Sequence, residues 1–150
     1  MATLVLIVSL VVFAVAFASG AWGLWLWWRF DADQRYWVAV RASQGGALLL
    51  ALLAGAVWLG GEKPDGWLFW IYTLIPVAVS LVAEQMRLIA ADQVLERRGL
   101  EGSADVATLD QAGQRGVVRE IVRREIGIMT ASAFVIAFLA LRVVAERGGL

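Results

Sequence analysis

The stretch LVAEQMRLIAADQVLERRG, residues 81–99, decides how this chain is read. It continues an apolar run that opens at Trp67, yet it places Glu84, Gln85 and Arg87 before that run is finished. A helix rises about 1.5 Å per residue, so one that enters a hydrocarbon core of about 30 Å near Leu68 leaves it near Arg87. Arg87 then snorkels to the headgroups, and Glu84 lies about one turn inside. The next strong stop signal is Gly99. The stretch therefore reads as a membrane helix that continues into water through DQVLERR and ends at Gly99 in a left-handed turn.

Three further runs have the length of a span, which is roughly 20 apolar residues. The four expected spans cover about 4–28, 37–59, 67–88 and 124–143. The chain is 61% hydrophobic with a mean hydropathy of +0.74. Soluble domains are only about half apolar by a similar count. The expected fold is all-α. It is a single domain, residues 1–150, forming a four-helix transmembrane bundle whose third and fourth helices extend as a cytoplasmic hairpin over about 89–123. GLEGSADVA, residues 99–107, is the expected turn of that hairpin. Thr108 and Gln111 have capping-box spacing for the start of the last helix, with weak points at Gly113 and Gly116. GGEKPDG, residues 60–66, is short and makes the second and third helices antiparallel neighbours. AFAS, residues 16–19, offers small residues of the type cleaved in signal peptides. No basic stretch precedes it, so the first helix is expected to be retained.

Arginine and lysine placement sets the expected orientation. Ten of the 13 basic residues fall on the side of the first and third connections, and Lys63, Arg142 and Arg147 fall on the other. The first side is therefore expected in the cytoplasm of a cell-membrane protein, with both termini outside. Trp25, Trp27, Trp28 and Trp37 mark one headgroup level, and Trp58, Trp67 and Trp70 the other. Residues 92–125 carry six Arg against seven Asp and Glu, so the hairpin does not read as a polybasic lipid patch.

Small residues Ala47, Ala51 and Gly55 on the second helix form a ribbon for close helix packing, expected inside the bundle with Gly127 and Ala131 on the fourth as candidates for the facing surface; the alternative is an oligomer seam. Pro76 interrupts the hydrogen-bond ladder of the third.

The polar groups gather at one level. Arg41, Gln44, Glu84, Gln85, Arg87, Arg123, Arg124 and Glu125 are expected to share a layer near the cytoplasmic face. Charges inside a membrane usually pair with one another, which makes this layer an ion-pair network. The competing reading is a site where a lipid headgroup, quinone or anionic metabolite meets the arginines. The chain has no His and no Cys. It thus lacks the usual haem and zinc ligands, the usual general base and any thiol, and no cofactor is expected. No phosphate-binding glycine loop or nucleophile–base pair appears. VRASQ, residues 40–44, shares its Arg41–Ala42 pair with small four-helix membrane enzymes of eicosanoid and glutathione metabolism. Gly45 and Leu48 stand where those enzymes carry Asn and Glu, and no role is carried over. Thirteen basic and 13 acidic residues balance, so no nucleic-acid partner is implied.

The expected function is a non-catalytic multi-pass membrane protein. It would be an accessory or scaffold subunit, or a bundle that binds lipid or another amphiphile. Its partners would be membrane lipids and either further copies or a larger membrane complex. The alternative is a small transporter with Glu84 as the proton or substrate carboxylate. A membrane enzyme acting on an amphiphile ranks third.

Overall fold

The computed structural model describes residues 2–61 and 66–148. Of the expected outer turn at 60–66, residues 62–65, with Lys63, lie outside them. The fold is all-α, with α1 Ala2–Arg29, α2 Gln34–Leu59, α3 Trp67–Arg97, a short α4 Ser103–Thr108 and α5 Gln111–Gly148. Four helices, all but α4, are long and apolar enough to cross a membrane.

Local chemistry sets the helix ends. α1 closes through Phe30, whose φ is 55°, and the Asp31 N–H reaches back to the Leu26 carbonyl at 3.1 Å. That six-to-one closure normally has glycine at the left-handed position. Asp33 opens α2 by accepting the Arg35 N–H at 2.9 Å. α3 runs unbroken through Pro76 and stops at Gly99, φ 68°, with the Leu100 N–H on the Leu95 carbonyl at 2.9 Å.

Two local expectations need correction. The turn between α3 and α5 is not all loop, because Ser103–Thr108 forms α4. Nor does Thr108 cap the last helix. Its hydroxyl turns back to the Asp105 carbonyl, and Asp110 Oδ1 accepts the Gly113 N–H at 2.9 Å. Asp110 stands directly before α5 and reaches the orphan amides of its first turn, which Thr108 is too early to do. α5 is continuous through Gly113 and Gly116.

The core is a stack of three clusters that fixes helix direction. At one end Val5, Leu50, Ala54, Val57, Phe69 and Val143 pack together. In the middle Val12 and Ala16 meet Ala47, Ile136, Ala137 and Ala140. At the other end Leu26, Tyr36, Val40, Ala83, Ile126 and Met129 close the stack. Residue numbers rise along α1 and α3 and fall along α2 and α5, so the long helices alternate up and down. α5 packs most extensively, against α1 first and α3 second. Large apolar side chains also cover the outside. Leu52, Leu81 and Phe138 are each more than 60% exposed, a surface that suits hydrocarbon and not water.

The small-residue ribbon is also corrected. Ala47 is buried, but Ala51 is half-buried, and a side chain at Gly55 would meet open space. Steps of four residues drift about 40° each around a helix with 3.6 residues per turn, so the ribbon rotates off the packed face. The buried face is instead Ser43, Ala47, Leu50, Ala54 and Val57. Gly127 faces Trp27 of α1, not α2, and Ala131 is exposed.

Candidate functional site

Glu84 is the centre of a polar cluster between α2 and α3. Arg41 Nη1 donates to Glu84 Oε1 and Nη2 to Oε2 at 3.2 Å, the two-pronged geometry that suits guanidinium and carboxylate. Gln44 Nε2 donates to Glu84 Oε1 at 3.0 Å, while its own Oε1 accepts from Arg41 at 2.9 Å. Arg87 Nε lies 3.6 Å from Glu84 Oε2, and its guanidinium stands 5.2 Å from the centre of the Trp37 ring. The helix register explains the meeting. Arg41 and Gln44 are three residues apart and share a face of α2, and Glu84 and Arg87 share one of α3 in the same way.

The other residues of the expected layer go elsewhere. Gln85 is exposed. Glu125 is half-buried on α5, within electrostatic range of Arg87 and Glu84. Arg124 lines a groove of about 370 Å³ between α3 and α5, beside Met86, Gln93 and Ile128. Arg123 turns to α1, where its guanidinium lies 3.7 Å from the Phe30 ring centre and 4.8 Å from that of Trp27. Its Nε is buried and makes no hydrogen bond among the described residues. One sequence level thus divides among three helix–helix seams.

A second set of polar contacts was not anticipated from the sequence. Tyr36 is fully buried; its hydroxyl lies 3.0 Å from Thr130 Oγ1 and 3.4 Å from the Ile126 carbonyl. Ser43 donates to Ser19 at 3.1 Å. Together these tie α2 to both α5 and α1. Gly23 on α1 leaves the space they need, since a β-carbon there would sit 2.2 Å from Thr130 Oγ1 and 2.6 Å from the Tyr36 hydroxyl. The available signal was a glycine between tryptophans in an otherwise bulky stretch.

A cavity of about 550 Å³ lies where the end of α1 meets the first third of α5. Leu26, Trp27 and Phe30 line it from α1 and its closing turn, and Arg115, Arg119 and Arg123 from α5. The balanced charge of residues 92–125 is therefore unevenly spread. Glu120 is taken up by Arg98, which follows α3 as its C-cap, with Oε2 2.8 Å from Nη2, while Arg115, Arg119 and Arg123 share the other face without an ion pair among the described residues. Among the described residues no three Asp or Glu side chains gather as a metal would need. No protein-family model, curated protein or solved structure matches this chain.

Proposed function

We propose that this chain is a non-catalytic multi-pass protein of the cell membrane that binds a membrane amphiphile, and that the Arg41–Gln44–Glu84–Arg87 layer is a structural clasp joining α2 to α3. The carrying observation is the pairing of Glu84: both carboxylate oxygens accept from Arg41, Oε1 also accepts from Gln44, and Arg87 Nε stands 3.6 Å from Oε2. A carboxylate held by three hydrogen bonds, two of them from a guanidinium, would have to break them to carry a moving proton or substrate. That argues against the transporter. The amphiphile reading is favoured over a bare accessory subunit by the cavity that joins arginines to aromatic and aliphatic walls. In the proposed topology the α1–α2 and α3–α5 connections are cytoplasmic, both termini are outside, and the end of α3 with the start of α5 projects from the membrane as a hairpin braced by Arg98 and Glu120.

Melting and transport test it together. Glu84→Gln strands Arg41 and Arg87, so the melting temperature falls. Arg41 is half exposed, so the loss is about 1 kcal/mol and well below that of a fully buried broken pair. Adding Arg41→Gln recovers part of it, because the two residues are coupled. Unchanged melting together with abolished proton-coupled uptake in liposomes overturns the clasp and establishes the transporter.

A further inference from the structure

We propose that the groove between the end of α1 and the first third of α5 is a binding site for an anionic phospholipid, with its phosphate on Arg115, Arg119 and Arg123 and its acyl chains on Trp27, Val118 and Val122. The site deepens the amphiphile-binding reading and rests on it.

Charge is the first argument. Three arginines at four-residue spacing form a row about 12 Å long on one face of α5. None has a carboxylate partner among the described residues, although acidic residues are as frequent as basic ones in the chain. One carboxylate, Asp31, reaches the groove, and its Oδ1 already accepts the Ala32 N–H at 2.9 Å. The lining thus keeps an excess of positive charge that an anion neutralises.

Preorganisation is the second argument. Arg123 lies against the faces of Phe30 and Trp27. Aromatic faces hold the plane of a guanidinium and leave its N–H edge for a planar or tetrahedral anion. Phe30 holds that position at a cost, being the one non-glycine residue with positive φ among the described residues. Such strain persists where surrounding structure enforces it, and it concentrates at ligand sites.

Shape separates a lipid from a free phosphate. The cavity of about 550 Å³ has room for more than a phosphate, and its walls combine the arginine row with Trp27, Val118 and Val122. Trp27 and Phe30 lie at the end of a span, where headgroups meet hydrocarbon. A phosphate bound there has its chains beside apolar side chains and not in water.

The experiment is thermal melting of the full chain in a neutral maltoside detergent. It is titrated with dihexanoyl phosphatidylglycerol, dihexanoyl phosphatidylcholine or glycerol phosphate. Phosphatidylglycerol is expected to raise the melting temperature saturably and the other two to do much less. The double variant Arg115→Gln/Arg119→Gln removes exposed side chains, so it folds, and its apparent affinity for phosphatidylglycerol falls at least about tenfold. The matched variant Arg35→Gln/Arg97→Gln loses the same charge elsewhere on the exposed surface and keeps wild-type affinity. An equal loss in both variants overturns the site in favour of a diffuse field. Equal shifts from phosphatidylcholine overturn the anionic headgroup but leave amphiphile binding standing. Glycerol phosphate matching the lipid overturns the lipid in favour of a soluble anion. No shift from any of the three overturns this site and the amphiphile reading together.

Discussion

Gly23 has no room for a methyl group. A β-carbon there would lie within 2.7 Å of Thr130 Oγ1 and of two Tyr36 atoms. Gly23→Ala therefore either forces α1 away from α5 or pushes Tyr36 off its partners, and it should destabilise the protein by about 1–3 kcal/mol, as overpacking does. Tyr36→Phe keeps the ring and removes only the hydroxyl. Interhelical hydrogen bonds in membranes average about 0.6 kcal/mol, so this change should cost less than Gly23→Ala. Denaturation in mixed micelles ranks the two, and the reverse order would mean that the hydroxyl matters more than the spacing. Legibility also divides at this scale. Arg41, Glu84 and Arg87 stand out in the sequence because a charge in an apolar run is costly and needs a partner. Tyr36 and Thr130 do not, because a hydroxyl in an apolar run carries little cost and its partner lies 94 residues away.

At the scale of the element, caps and turns make the predictions. Asp110→Ala should destabilise α5 by about 1 kcal/mol and speed amide exchange at 113–116, while Thr108→Ala should leave those amides unchanged. Gly99→Ala forces alanine to φ 68°, at a cost of about 1 kcal/mol. Phe30→Gly does the opposite. It releases a similar backbone cost but removes the ring against Arg123, worth about 0.5–1 kcal/mol. Its melting temperature should move less than that of Gly99→Ala. Gly99 was legible as a stop because glycine followed a long helical pattern. The start of α5 was not, since Ser103, Asp105, Thr108 and Asp110 are all able caps and only the three-dimensional turn selects among them. Hydrophobic length likewise marked the four long apolar helices, but of the ribbon Ala47–Ala51–Gly55 only Ala47 is buried within the bundle. Spacing shows which residues share a face and leaves open which neighbour that face meets.

For the whole molecule, the absence of cysteine is an experimental advantage. Gly61→Cys and Ser103→Cys place one thiol at each end of the bundle. A membrane-impermeant maleimide applied outside intact cells should label only the first, and labelling of Ser103→Cys alone would invert the proposed topology. The order of neighbours is the other molecular feature. Adjacent segments usually pack together, and α2 does lie beside α3, yet α1 meets α5 more extensively than any other helix. Gly20 of α1 sits against Phe134 of α5, and Tyr36 waits for Thr130. Translation proceeds at about 5–20 residues per second, so several seconds or more separate the first helix from the synthesis of its principal partner. Biosynthesis thus passes through an interval in which the Tyr36 hydroxyl lacks Thr130 and the Gly20 face of α1 lacks Phe134. A chain stopped after Glu125 would remain in that interval, and pulse–chase should find it degraded well before the full-length protein.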